Sequence, residues 1–492
     1  MPLGSDIRGF DPGVNRDGNT DTVHHHIFES LVAYDSDLKV QPMLAEKFIV
    51  SDDFKTFTFY LREGARFHNT ELVTANDVAW AWRRMLDPET GWRCRTWYDG
   101  TGNDSHIIGI DTPDERTVVF HVSSPSPIFL VRMANVQCFS AIVHRDSFDA
   151  EGEVLRPIGT GPYKLSEWRR GEFIKLSAFE QYIPREEASS GYAGSKIAKE
   201  RNIKFLIVPD HSVSEAGLLT GEIDILPDVP VHLAPLLEMS EDVQLQGTNI
   251  LTWVVLLVGS KDKVFSDVRM RQALARAIDV NQVANTVSFD RGKANPSAVP
   301  VMSPFHTPMH DMRLNHDIPK VKELLEQAKY NGEPILLKTT KQISFLFDSA
   351  IAIQAMLTEA GFNVELEVVD WATLLSDYFS GNYTLATFDY SGRTHPTLNY
   401  GTFLGEDRSN PAYLWSSPKA LALEAEARQA DTPEQASQIF EKLHAHMIQQ
   451  TPIIGLFNRY QLDAVRTNVN GYELWSMGRP RLWNVTKGEA EK

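Results

Sequence analysis

Cysteine is nearly absent: Cys94 and Cys138 are the only two in 492 residues. That excludes a disulfide framework and any multi-cysteine zinc module. Two readings stay open for the pair, a disulfide formed in an oxidising compartment or two buried thiols. Long apolar runs are missing as well. The longest, ILTWVVLLV at 250–258, falls far short of the ~20 residues that span a bilayer and reads as a buried strand. The chain opens MPLGSDIRGFDPG, with neither the basic flank nor the apolar stretch of an export signal. The protein is therefore expected to be cytosolic or to have lost an export segment from this sequence. Positive charge is in deficit, with 48 Lys and Arg against 65 Asp and Glu and a formal charge of −17. A field of that sign repels a phosphate backbone, so no nucleic-acid partner is expected. The catalytic signatures HExxH, GxSxG, the Walker loop, CxxC and the EF-hand do not occur. Gly159-x-Gly161 looks like part of a phosphate loop, but Pro162 removes a donor where a cradle needs one and no helix pattern follows.

What is present is an alternation of helix and strand patterns. KTFTFYLREGARF (55–67) places Phe57, Phe59 and Leu61 on one face of a strand. TANDVAWAWRRMLDP (74–88) reads as a helix with Thr74 and Asp77 as a capping box, Val78, Trp82 and Met85 on one face, and Pro88 as its stop. A strand is expected within 114–127, a hairpin after 158, and a short helix then a strand within 214–230. A helix begun by Ser266 is expected over 265–279, another begun by Asp279, and one over 318–333 with Pro319 in its first turn and a stop at Gly332. The clearest unit, 350–390, reads helix, strand, helix, strand. Its first strand alternates Val364, Leu366 and Val368 with Asn363, Glu365 and Glu367, a half-polar pattern suited to a sheet edge or a wetter face. The alternation predicts an α/β fold. Abundant aromatics, 25 Phe, 14 Tyr and 10 Trp, with no catalytic signature fit a binder with a cleft.

Three consecutive histidines, His24 to His26, raise the question of metal. His24 and His26 share a face only in an extended segment. The second His-x-His pair, His444 and His446, lies in a helical pattern, where residues two apart diverge.

The order of segments resembles the family 5 solute-binding proteins of ABC importers, which include peptide, dipeptide, nickel and opine receptors. HIFESLVAYDSDLKVQPMLAEKFIVSDDFKTFTFYLREGARFHN carries the family's Phe-Glu-x-Leu, Pro-x-Leu-Ala-Glu and Phe-x-Leu-Arg-x-Gly-x-x-Phe-His elements. TANDVAWAWRRMLDP, IGTGPYKLSEWRRGE, LLTGEIDIL, FSDVRMRQALARAID and GFNVELEVVDWATLLSDY follow in family order. The chain departs from the pattern at His68-Asn69-Thr70, where His-Asp-Gly is usual, and at Ser30, where glycine is usual. The resemblance implies a two-lobed periplasmic-binding-protein fold of the large three-domain type, with mixed sheets and an interlobe cleft. Residues 1–33, 158–252 and 463–492 would form one lobe, 34–157 an extra domain attached to it, and 253–462 the second lobe. It further implies no catalysis and no cofactor. The expected role is that of a monomeric periplasmic receptor, which closes over a small amino-bearing solute, a short peptide or an amino-acid conjugate such as an opine. It then delivers the solute to a permease in the inner membrane. The alternatives are a hydrolase or histidine-dependent metalloenzyme, or a receptor for a nickel complex.

Candidate ligand residues follow partly from the resemblance. Asp389, at the expected carboxyl end of a strand, would pair with the solute's ammonium, and Arg393 would clamp a carboxylate. The resemblance adds Trp371 as a pocket tryptophan, Trp253 at a lobe crossing, Glu29 and Ser30 in the Phe-Glu-x-Leu segment, and His26 beside it. For both tryptophans core packing is the competing reading.

Overall fold

The structure, a computed structural model, describes residues 1–101, 105–259, 262–406 and 410–488. Local rules account for many of its elements. The helix Ala75–Leu86 opens on the expected capping box, in which the Asp77 carboxylate accepts the Thr74 N–H at 3.0 Å and the Thr74 hydroxyl accepts the Asp77 N–H at 3.4 Å. Val78, Trp82 and Met85 are buried beneath it. The strand Thr56–Leu61 buries Phe57, Phe59 and Leu61 and exposes the residues between them more.

Two expectations need correction. The helix expected from Ser266 begins at Val268, and its cap is Asp267, whose carboxylate accepts the Arg269 N–H at 2.9 Å. Ser266 Oγ instead donates to Lys263 O. An ionised carboxylate is the stronger acceptor for an orphan helical N–H. The helix expected to run to Gly332 ends at Gln327, because Lys329 takes a left-handed φ of 57° that no helix continues through.

The chain divides into two units, Met1–Gly247 with Leu462–Lys492, and Thr248–Gln461. The division keeps 1–33, 34–157 and 158–247 together. Its inner boundaries fall inside two long strands, Val243–Val258 and Ile453–Arg466, so the chain passes between units as continuous strand both times.

The first unit holds two four-stranded sheets. One is antiparallel, in the order Ala45–Val50, Thr56–Leu61, Thr117–Val122, Ile107–Asp114, and lies wholly within 34–157. The other runs Pro2–Leu3, Asn202–Ile207, Phe173–Ala178, Tyr163–Arg169, its last two strands forming the hairpin expected after Gly161. Gly159 and Gly161 serve close packing rather than a ligand cradle. A Cβ at Gly159 would lie 2.1 Å from Ile27 O, and one at Gly161 2.6 Å from His26 O.

In the second unit the strand order is Ile453–Arg466, Val243–Val258, Leu385–Tyr390, Ile335–Thr339, Val364–Val368. The half-polar strand Val364–Val368 is the edge, parallel to Ile335–Thr339, with Leu336 opposite Glu365. The run read as a buried strand lies at the centre. Val254, Leu256 and Val258 pack into one core, and Trp253, Val255 and Leu257 into another, one on each face. Among the described residues no helix is long and apolar enough to cross a membrane.

Cys94 and Cys138 are joined in a disulfide, their Cα atoms 5.7 Å apart across a sequence separation of 44. Closing a loop of that length restricts the unfolded chain. Replacing both cysteines by serine is expected to cost about 2–4 kcal/mol of stability, read as a lower urea midpoint that reducing agent reproduces in the parent protein.

Candidate functional site

The histidines lie on the helix Gly18–Ile27, whose N-cap Asp17 accepts the Thr20 N–H. All three are buried. His24 Nε2 lies 2.9 Å from Gly9 O. His25 stacks between Tyr192 and Phe139, with ring centroids 4.1 and 4.2 Å away. His26 Nε2 accepts the Leu482 N–H at 2.9 Å, which leaves Nδ1 to donate to Thr22 O at 2.7 Å. Burial pushes His24 and His26 down to about 4 and drives His25 down as well, so the rings stay neutral. Because the segment is helical, the three rings diverge. Among the described residues the one group gathered closely enough for a metal is Glu71, His144 and Asp146, and none of the three consecutive histidines belongs to it.

Directly after this helix, Glu29 enters the interior at 1% exposure. The Tyr182 hydroxyl donates to it at 2.8 Å and the Thr160 hydroxyl at 3.2 Å, and Arg62 and Lys196 stand 3.5 and 3.9 Å away. Lys196 is itself buried, pushed down to about 8 by desolvation, and sits 4.8 Å over the Trp483 ring. The carboxylate is thus surrounded by two hydroxyl donors and two cations, although the Arg62 Nε itself has no hydrogen-bond partner. Ser30 Oγ donates to Val32 O at 2.5 Å and turns the chain into the strand Val32–Tyr34.

In the second unit Asp389 sits at the carboxyl end of Leu385–Tyr390, opposite Val254. It alternates with Phe388 and Tyr390, which pack into the core on the other face. Burial pushes its carboxyl up to about 6, and no cationic side chain among the described residues offsets that. Arg393 donates to Ser391 O at 2.8 Å and lies near the phenols of Tyr378 and Tyr390, whose ionised forms it favours. Trp371, the first residue of the helix Trp371–Ser380, stacks on Phe388 at 5.6 Å and is half-buried. Trp253 is 2% exposed, donates from Nε1 to Asn295 O at 3.0 Å and stacks on Tyr390.

Residues 39–411 match the model of the bacterial extracellular solute-binding proteins, family 5. The chain belongs to that family. It is 26% identical to a probable peptide ABC transporter periplasmic-binding protein of Sinorhizobium fredii, over 97% of this chain and 91% of the relative. It is 25% identical to the dipeptide-binding protein of Escherichia coli, over 97% and 92%. Among solved structures, AgaA of A. tumefaciens R10 in complex with agropinic acid matches with a TM-score of 0.78 and 26% identity, covering 100% of this chain and 98% of that one. The fold is the two-lobed α/β fold of this family, and the protein is a substrate-binding receptor of an ABC importer, not an enzyme. Family members are periplasmic or extracytoplasmic.

As a family 5 receptor the chain sorts its expected ligand residues by what they already hold. His26, Trp253 and Ser30 have spent their polar atoms on the backbone, and Glu29 on four side chains. Asp389 lies at the end of one strand and Arg393 just beyond it, while Trp371 opens a helix and stacks on Phe388, on the strand face opposite Asp389. Arg62, Thr160, Tyr182 and Lys196 were not singled out by sequence, although Arg62 stands in the quoted Phe-x-Leu-Arg element and Thr160 in the quoted IGTGPYKL segment; Tyr182 and Lys196 carry no local signal.

Two outcomes follow. Glu29→Gln leaves two buried cations without their acid and is expected to cost about 3–5 kcal/mol in urea denaturation. For Asp389 the folded carboxyl titrates near 6 against an ordinary 3.8, so the fold favours the neutral form. Its contribution is full below the ordinary value and is lost as pH rises through the folded one. Relative to Asp389→Asn, the ligand-free parent should lose up to about 3 kcal/mol between pH 4 and 7, measured as the pH dependence of the difference in unfolding free energy.

Proposed function

We propose that this receptor captures a small amino-bearing organic solute, a short peptide or an amino-acid conjugate such as an opine. It does so in the periplasm, as a monomer, and passes the solute unchanged to the permease of its importer in the inner membrane. The observation that carries the reading is Asp389, a desolvated carboxyl at the end of a sheet strand with no cation beside it among the described residues. An ammonium placed there relieves the desolvation and makes a charge-assisted hydrogen bond. Trp371 supplies a half-buried aromatic face, and Arg393 a guanidinium suited to a carboxylate. Relatives named for peptides and dipeptides, and a solved neighbour holding agropinic acid, support the same solute class. The 34–157 segment, with its own antiparallel sheet, is read as an extra domain attached to the first lobe.

A thermal-shift screen against dipeptides, opines, sugars and a nickel–histidine complex tests this. An amino-bearing solute should raise the melting temperature in proportion to the logarithm of its concentration. Asp389→Ala should weaken that solute about a hundredfold, the scale of an unpaired buried charge, with the ligand-free melting temperature not lowered. A shift produced by sugars or by the nickel complex alone, or an affinity indifferent to Asp389, overturns the proposal.

A further inference from the structure

The first unit contains a second group of charged side chains, in which the excess of cations over acids is larger than around Glu29. Arg16 pairs with Asp21 at 3.5 Å, with side chains 18% and 6% exposed, and neither the Arg16 Nε nor the Asp21 Oδ2 makes a hydrogen bond. Arg93 and Arg479 lie close enough to disfavour the charge on Arg16 and to favour the ionised form of Asp21. Neither of those two arginines forms an ion pair or a side-chain hydrogen bond with another group among the described residues. Asp17 does not neutralise them, because its carboxylate is taken by the Thr20 N–H and by Arg8 at 3.1 Å.

The Arg479 guanidinium lies against Gly18, the first residue of the histidine helix, where an added Cβ would approach Arg479 Nη1 to 2.9 Å. A helix N-terminus presents partial positive charge and attracts anions; here Asp17 caps it and Asp21 lies in its first turn, two acids beside Arg16, Arg93 and Arg479. Two neutral polar groups beside the cluster also lack partners. His25 Nε2 and the Tyr192 hydroxyl are buried without a hydrogen bond, and Arg479 acts electrostatically on both. Buried polar atoms are rarely left unpaired, and several together call for a missing acceptor.

We propose that Arg16, Arg93 and Arg479 form the acceptor for a carboxylate of the captured solute, with His25 Nε2 and the Tyr192 hydroxyl as neutral hydrogen-bonding groups beside it. The solute is then an acidic one: an amino-acid conjugate with a free carboxylate, or a peptide with an acidic side chain. Planar guanidinium groups meet a carboxylate with two parallel hydrogen bonds, and three cations against Asp21, with Asp17 shared by Arg8, leave room for a ligand's negative charge. Gly18 keeps the first helical turn clear for Arg479. This inference rests on the receptor reading above and narrows its solute class.

The test uses matched acid and amide pairs, Ala-Glu against Ala-Gln and N-(1-carboxyethyl)glutamate against N-(1-carboxyethyl)glutamine, by calorimetry and thermal shift. The parent protein should bind the acid member of a pair at least about tenfold more tightly. That preference should weaken between about 50 and 300 mM salt. Arg93→Gln, at an exposed position, and Arg479→Gln should each cut the preference severalfold, the acid member losing more affinity than the amide. Equal affinity for acid and amide, or a preference that survives both substitutions, overturns the inference and leaves the receptor reading standing. If no member of the pairs and no solute of the wider screen raises the melting temperature, the receptor reading fails and this inference falls with it.

Discussion

A carboxylate withdrawn from water has to be met by donors, and much of the first unit is organised by that demand. Glu29 is met from residues 33, 131 and 153 positions away in sequence, and from Lys196. One side chain thereby fixes the relation of several distant segments: the end of the histidine helix, the turn after the strand Thr56–Leu61 that carries Arg62, and the segments holding Thr160 and the Tyr182 to Lys196 stretch. Asp463 applies the same rule where the chain returns to the first unit. It is fully buried, accepts the Asp228 N–H at 2.9 Å and takes the Tyr472 hydroxyl at 2.5 Å. Such networks specify one arrangement because each alternative leaves a charge or a dipole unpaired in a medium of low dielectric.

The same rule, applied to groups it leaves unsatisfied, separates architecture from ligand recognition. Glu29 is fully buried, whereas Asp389 is only half-buried yet still poorly solvated. Glu29 has two cations and two hydroxyls, so it has little left to offer a solute. Asp389 has its own backbone N–H and, among the described residues, no cation, and its carboxyl is held toward the neutral form. A protein gains nothing for its own stability from that arrangement. That is the basis on which Asp389 is proposed as a ligand group. Arg16, Arg93 and Arg479 show the same signature with the sign reversed.

What the sequence made legible was what local physics decides. The capping box of Thr74 and Asp77, the alternation of Phe57, Phe59 and Leu61, and the edge character of Val364–Val368 each depend on a few neighbouring residues. The family segments, read in order, were enough to identify the fold. Local rules misread Ser266 and Gly332 because each had a competitor a few residues away, Asp267 as cap and Lys329 as stop. The site was legible only in part. Asp389 stood out because a strand pattern placed it at a carboxyl end, and that placement is what the fold shows. Glu29 entered by its place in the family segment and Trp253 with core packing as its competing reading, and nothing near them in sequence reveals the contacts they make to Lys196 and Asn295 O. Satisfaction of a polar group is a property of long-range contacts, so motif position alone cannot tell a used residue from a waiting one.

The three histidines illustrate why a residue type does not carry a role by itself. Imidazole is the one side chain whose ordinary titration lies near neutrality, and three in a row suggest a switch or a metal ligand. Here burial holds them neutral, and the packing of Tyr192, Phe139, Tyr163 and Trp483 around them uses their flat faces as it would any ring. Neutrality has a consequence for the opposite end of the helix. Protonated rings in this helix would add further positive charge within a few turns of Arg16 and Arg479, in surroundings already short of acid, and would compete for the anion those arginines lack. A neutral histidine avoids this while keeping a nitrogen that either donates or accepts according to its tautomer. His25, whose Nε2 is the one unpaired among the three, is thus able to pack like an aromatic residue and still offer a hydrogen bond at the edge of the arginine group. Phenylalanine would provide the packing without the hydrogen bond, and lysine would bring a charge.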